Sequence, residues 1–269
     1  MSDTIAHVAL LLRRELLATS LGLLFLAMAV PTLFGLALDG RTIVGVSVWL
    51  KPFKFQLSLA VHVLTVALAL GVIERRAREG RMVRAILLIF SAMLLFEVCW
   101  ITVQGGRGLP SHFATSAFDL AMYVLMGIGA TFIVLATALF GVLALRHPAP
   151  EVPRLVSLAV GLGLLVSGIA GLVTGWSISL NNGAVVGSIG DAGLSIPLLG
   201  WSGTAGDIRV AHFVGLHAAQ SLPLLGLALR AWTTRRARSA LVVASLLWSG
   251  ATVGLLIQAL AGRPFIPLG

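Results

Sequence analysis

Seven apolar runs, each close to the length of a bilayer crossing, constrain this chain more than any other feature. They read as helices at about 16–38, 53–73, 85–104, 120–145, 155–175, 208–230 and 240–261, because a helix of about 20 apolar residues spans the hydrocarbon core. In hydrocarbon every backbone N–H and C=O must be satisfied within the protein, which continuous helices achieve on their own. The predicted fold is therefore all-α, a polytopic transmembrane helix bundle, with residues 1–269 forming a single membrane domain. Only 11% of residues are charged and the mean hydropathy is +1.01, which excludes a water-soluble globular enzyme.

The charge that remains is strongly basic, with a formal net charge of +9. Such an excess often marks nucleic-acid binding, but here the cations lie between apolar runs, so topology accounts for them and no nucleic-acid partner is expected. The connections after spans two, four and six read ERRAREGR, RHPAPEVPR and RAWTTRRARS, whereas those on the other side are Gly-rich and weakly charged. Thirteen of the 19 basic residues lie on the first side, leaving Arg41, Lys51, Lys54, Arg107, Arg209 and Arg263 for the second. The positive-inside rule then predicts a short cytoplasmic N-terminal segment (1–15), an outside C-terminus and a multi-pass inner-membrane protein. The inner arginines read as topology signals and contacts to lipid head groups.

A single cysteine, Cys99, excludes an intramolecular disulfide and a thiolate metal cluster. Ala27-Met28-Ala29 imitates a signal-peptide cleavage site, but the apolar run continues to Leu38, which favours an uncleaved span. Gly163, Ser167, Gly171 and Gly175 recur every four residues and form a small-residue ridge for close helix packing. Pro31 and Pro223 each remove a backbone donor and are expected to kink their helices. The Gly-rich connection at about 176–207, bracketed by Trp176 and Trp201, reads either as a lid over the outer face or as a floppy loop.

Ionisable groups inside spans are expensive, so each one is a functional candidate. Lys51, Lys54, Ser58, His62 and Thr65 follow at intervals of 3, 4, 4 and 3 and make one polar stripe on the second span. Glu97 and Gln104 share a face of the third span beside Trp100, and a mid-span carboxylate must be protonated, paired or cation-bound. The turn QGGRGLPSHFATSAFD adds Arg107, Ser111, His112 and Asp119, with Arg107 and Asp119 as a candidate ion pair. The sixth span supplies Asp207, Arg209, His212, His217 and Gln220, with Gln258 of the seventh span as a further neighbour. His212 and His217 are five residues apart and so point about 140° from each other, which disfavours a two-His chelate on that helix alone. Helical rise puts His62 and His217 about 13 Å from the outer ends, Glu97 about 10 Å and His212 about 6 Å, all in the outer half.

The segments WLKPFKF, QGGRGLPSHF and GDIRVAHFVGLHAAQSLPL resemble a group of uncharacterised bacterial polytopic membrane proteins, over most of the chain from the second span to the sixth. The resemblance carries no activity; it implies only that these segments act as a unit. The chain lacks the H-x-x-x-H pair of ceramidase-like membrane hydrolases and the histidine boxes of membrane desaturases.

Three functions fit the polar set. The first is a membrane oxidoreductase with haem b, in which His62 and His217 are axial ligands, His212 lies nearby, and Lys51, Lys54, Arg107 and Arg209 face the propionates. The second is an enzyme with a transition metal held by His62, Glu97, His112 and His217, with Glu97 and His112 as catalytic groups acting on a hydrophobic, lipid-like substrate. The third is a proton-coupled carrier of an anionic small molecule in which Glu97 and a histidine exchange protons.

Overall fold

A computed structural model describes residues 11–112, 116–187, 194–196 and 198–268. Its long helices are α1 (Leu16–Leu38), α2 (Leu50–Gly71), α4 (Arg81–Arg107), α5 (Ala117–Arg146), α6 (Arg154–Leu180) and α9 (Thr234–Leu260). Each of these is long and apolar enough to cross a membrane. A one-turn helix, α3 (Arg75–Arg78), precedes α4, and two short strand pairs, β1–β2 (Thr42–Ile43 with Val46–Ser47) and β3–β4 (Val185–Val186 with Gly206–Asp207), close two of the connections. The protein is an all-α polytopic membrane protein.

The sixth crossing in chain order departs from the expected continuous helix. It consists of α7 (Ile208–Leu216) and α8 (Ala218–Ala228), joined at His217 with a bend of 42° and continued by a 3₁₀ turn at Leu229–Ala231. Pro223 was the expected kink, yet α8 runs through it and the bend falls six residues earlier. The reason lies in the neighbouring helices. Ser167 Oγ donates to Leu216 O at 2.8 Å and Trp248 Nε1 donates to Val214 O at 2.8 Å, so side chains take over carbonyls at the break. Pro31 likewise sits inside an unbroken α1.

The chain forms two compact units, residues 1–136 with 147–151, and residues 137–146 with 152–269. In the first unit, Phe25, Leu70, Leu87, Phe90 and Leu94 form a fully buried interior from α1, α2 and α4. One end of this unit carries the β1–β2 hairpin, whose turn uses Val44 (φ 51°) and Gly45 (φ 75°), the positive pair a tight two-residue hairpin requires. Asp39 anchors that hairpin by accepting from Arg41 Nε at 3.0 Å and from Trp49 Nε1 at 2.8 Å; the Arg41 hydrogen bonds, then that of Trp49, hold its carboxyl well below the usual range.

The opposite, arginine-rich end is tied together more tightly than topology signals require. Glu15, just before α1, is 1% exposed and contacts Arg78 Nε at 3.1 Å and Arg84 at 2.9 Å. Arg14 pairs with Glu151 at 2.9 Å and donates to Gly71 O at 3.0 Å, capping α2. The connections themselves join, since Glu74 N donates to His147 O and Ala149 N to Val72 O. Arg14, Arg78 and Arg84 are thus structural members of an ion network, a correction to their reading as topology alone.

In the second unit the small-residue ridge of α6 fulfils its predicted packing role. A Cβ at Gly163 would lie 2.9 Å from Ala218 O and 3.0 Å from Pro223 Cδ, so the glycine admits the broken crossing at backbone distance. The base of the Gly-rich connection is clasped by β3–β4. Gly190, Asp191 and Gly193, on which the expected lid partly depends, lie outside the described residues.

Candidate functional site

Two polar centres emerge, one in each unit. That of the first unit lies at its hairpin end. Lys51 occupies the first turn of α2, so a four-carbon stem carries its ammonium across to the turn after α4. There Lys51 Nζ and Ser111 Oγ each lie 3.1 Å from His112 Nδ1. An ammonium can only donate, so Nδ1 is the acceptor and the ring proton of a neutral His112 sits on Nε2. Burial, and next the charge of Lys51, push the His112 pKa down to about 3. His112 is therefore a neutral acceptor that orients Lys51, with Tyr123 meeting its ring edge-on at 5.8 Å between centroids.

The turn that presents His112 is built by α4. Trp100 Nε1 donates to Ser111 O at 3.3 Å, and Gln104 Nε2 donates to Pro110 O at 3.3 Å and to Asp119 Oδ1 at 3.2 Å. Arg107 donates to Gln104 Oε1 at 2.9 Å. The expected Arg107–Asp119 ion pair is replaced by a relay in which the buried Gln104 amide stands between the two charges and satisfies both.

Glu97 lies two turns below Gln104 on α4, 5% exposed. Its Oε1 has no hydrogen-bond partner among the described residues. It lies close to Gly129 of α5, where a Cβ would stand 3.5 Å from Oε1, at ordinary contact distance. Lys51 and Glu97 act on each other electrostatically, but among the described residues no direct ion pair joins them. Deeper on α2, His62 packs against the buried Phe90 of α4, with centroids 6.1 Å apart, and Thr65 donates to its own helix at Val61 O. Gln56, which the sequence stripe omitted, is fully buried and donates to Thr102 Oγ1 at 3.1 Å.

The centre of the second unit is the start and break of the α7–α8 crossing. Asp207 caps α7, accepting from Arg209 N at 3.0 Å, from Arg209 Nε at 2.9 Å and from Ser202 N at 2.9 Å. Arg209 is thereby committed to the cap. Thr174 gives its hydroxyl hydrogen to Ala170 O at 2.6 Å, so the 2.8 Å contact to His212 makes His212 Nδ1 the donor. His217 Nδ1 lies 2.8 Å from Phe213 O, an acceptor only, so it too carries its proton on Nδ1. Both imidazoles, when neutral, leave Nε2 as an unprotonated lone pair. Gln258 does not join this centre; its amide donates to Pro264 O at 2.8 Å at the end of its own helix.

The four proposed metal ligands are not gathered into one group: among the described residues no three His, Cys, Asp or Glu side chains come together as a metal site. His62, Glu97 and His112 belong to the first unit and His217 to the second. Together these features define the class, a multi-pass helical membrane protein with ionisable side chains inside its apolar segments. No family model, no curated protein and no solved structure matches the chain.

Proposed function

We propose that this protein binds a small anionic molecule at the Lys51–His112–Glu97 centre and couples binding to proton exchange at Glu97, as a proton-linked carrier of a bacterial cytoplasmic membrane. The observation that carries this reading is the buried Glu97 Oε1, without a hydrogen-bond partner among the described residues and addressed by the Lys51 charge with no direct ion pair between them. A buried ionised carboxylate is costly unless a partner sits against it. Without ligand the Lys51 charge is what offsets an ionised Glu97; an anion that takes over Lys51 removes that offset, so Glu97 takes up a proton and its hydroxyl becomes the donor such a molecule needs. The orientation with the N-terminus inside rests on the concentration of arginines at one end, Arg14, Arg75, Arg76, Arg78, Arg81 and Arg84 among them.

Infrared difference spectra of the purified protein test proton exchange directly. A carboxylic-acid C=O band should titrate with pH and disappear in Glu97→Gln. A spectrum that Glu97→Gln leaves unchanged overturns the reading.

A second reading rests on one separate observation in the second unit. A histidine that donates Nδ1–H to a backbone carbonyl, as His217 does to Phe213 O, has the fixed tautomer and orientation of a metal or haem ligand. Haem held through His217 Nε2 would give a Soret band in protein expressed with haem supply, lost in His217→Ala. A colourless protein after haem loading sinks this alternative.

A further inference from the structure

We infer that the arginine corner where α8, α9 and the start of α6 meet binds an anionic phospholipid whose head group carries two phosphates. The charge count separates the two units. At the arginine-rich end of the first unit, seven arginines stand with Glu15, Glu74, Glu79 and Glu151. Four of the seven, Arg14, Arg75, Arg78 and Arg84, are in ion pairs. The second unit brings Arg146, Arg154, Arg230, Arg235, Arg236 and Arg238 to the ends of its helices, and residues 137–146, 152–162 and 225–241 contain no Asp or Glu. All six are exposed, and among the described residues none of them has an ion pair. Contact with head groups at every inner arginine, the expectation from the sequence, is thereby narrowed to the unit that leaves its arginine charge uncompensated.

Packing holds five of these arginines around one corner. Leu229, Ala237 and Leu241 form a buried cluster with Ala159 of α6, Leu155 packs against it, and a Cβ at Gly226 would lie 2.4 Å from Ala159 Cβ. Arg154, Arg230 and the three arginines of α9 flank that cluster in sequence. The buried face of α9 runs through Ala237, Leu241 and Ser245, so Arg235, Arg236 and Arg238 are turned at least about 100° away from it. Arg235 and Arg236 lie in the first turn of α9, where the helix dipole disfavours cations, so the helix gains nothing from them. Trp232, 56% exposed between the 3₁₀ turn and α9, is an aromatic of the kind that settles at head-group level. Arginine forks match phosphate oxygens, and residues three apart on a helix, such as Arg235 and Arg238, hold their Cβ atoms about 5–6 Å apart. Two phosphates joined in one head group engage such a pair with an effective concentration that separate lipids lack.

Native mass spectrometry of the full-length protein in detergent, titrated with cardiolipin, with phosphatidylglycerol at equal phosphate and with pyrophosphate, tests the inference. One cardiolipin should bind saturably and ahead of phosphatidylglycerol, and excess pyrophosphate, which lacks acyl chains, should not displace it. Arg235→Gln with Arg238→Gln should weaken cardiolipin about thirtyfold, the loss of two cations near a membrane surface, and Lys at both positions should recover part of it. Arg76→Gln with Arg81→Gln removes two exposed arginines from the first unit and should leave cardiolipin binding unchanged. Phosphatidylglycerol binding as tightly at equal phosphate would overturn the two-phosphate head group, and displacement by pyrophosphate would overturn a lipid as the occupant. Equal losses in the two Gln double variants, or no saturable cardiolipin binding, would overturn the assignment to this corner.

Discussion

Replacing Glu15 by Ala should destabilise the protein far more than an ordinary charge deletion in a connection. The Glu15 side chain is 0% exposed and Arg78 only 8%, so the substitution strips a buried guanidinium of its close, buried counter-charge and leaves it only the half-exposed Glu79 at 3.7 Å. Removing one partner of a buried pair costs about 3–5 kcal/mol. The second contact, to Arg84, is different because that side chain is 44% exposed, and screening limits it to about 1 kcal/mol or less. Glu15→Ala is therefore expected to cost about 4 kcal/mol in all, Arg84→Ala less than about 1 kcal/mol, and Arg75→Ala, in an i,i+4 pair with Glu79 at the surface, nothing measurable. Unfolding in mixed micelles by titrated sodium dodecyl sulfate, followed by far-ultraviolet circular dichroism, ranks the three. A further variant separates lost attraction from stranded charge: Glu15→Leu with Arg78→Met removes both buried ions and should restore most of the loss. The reasoning is refuted if Glu15→Ala and Arg84→Ala fall together, or if the double variant is no more stable than Glu15→Ala.

Acid should weaken the first unit through His112. The folded chain keeps His112 neutral down to about pH 3, whereas the unfolded chain protonates it below its ordinary value of 6.5. The unfolded state then binds the extra proton, so stability held above pH 6.5 is lost as pH falls toward 3, with a limiting slope of about 1.4 kcal/mol per pH unit; His112→Gln should flatten the corresponding part of a micelle stability profile. At the clasp of the Gly-rich connection, Gly206→Ala would drive a Cβ to within 1.9 Å of Ala259 O and should lower the melting temperature clearly, whereas Gly127→Ala, with nothing within 4 Å, should be neutral or stabilising by up to about 1 kcal/mol. Ser167→Ala removes the donor to Leu216 O at the break and should cost about 1 kcal/mol, with amide exchange of residues 216–221 accelerating first; exchange that quickens elsewhere but not there would contradict the role given to Ser167.

The six continuous crossings were legible because hydropathy in lipid is a local property: α1 coincides with the sequence reading, α2 begins three residues earlier and ends two earlier than expected, and α4, α5, α6 and α9 differ mainly in added turns at their ends. The break at His217 was not, because GLHAAQ contains no residue that ends a helix outright; Ser167 and Trp248 produce the break from other helices. Glu15 escaped notice for a similar reason. On its own it is an acidic residue in a basic segment, and only the return of Arg78 and Arg84 to the same end makes it a buried hub. Around Lys51 the residue types were readable, since ionisable groups in apolar runs have to find one another. Their arrangement was not: Gln104 between Arg107 and Asp119, and the neutral His112 beneath an ammonium, depend on side-chain geometry that spacing alone leaves open.

The divided crossing also bears on how the chain is assembled. Segments of nine and eleven residues, α7 and α8, each fall well short of the roughly 20 that hold a helix in the bilayer unaided. Their exposed carbonyls at Val214 and Leu216 are satisfied by Trp248 and Ser167, which lie on later and earlier helices respectively. During synthesis α6 is already present when α7 emerges and can receive Leu216 at once, but Val214 must wait for α9. The last helix therefore acts as a closing strut, and a chain truncated before Trp248 should hold its sixth crossing loosely and be cleared by membrane proteases even though every residue of that crossing is intact.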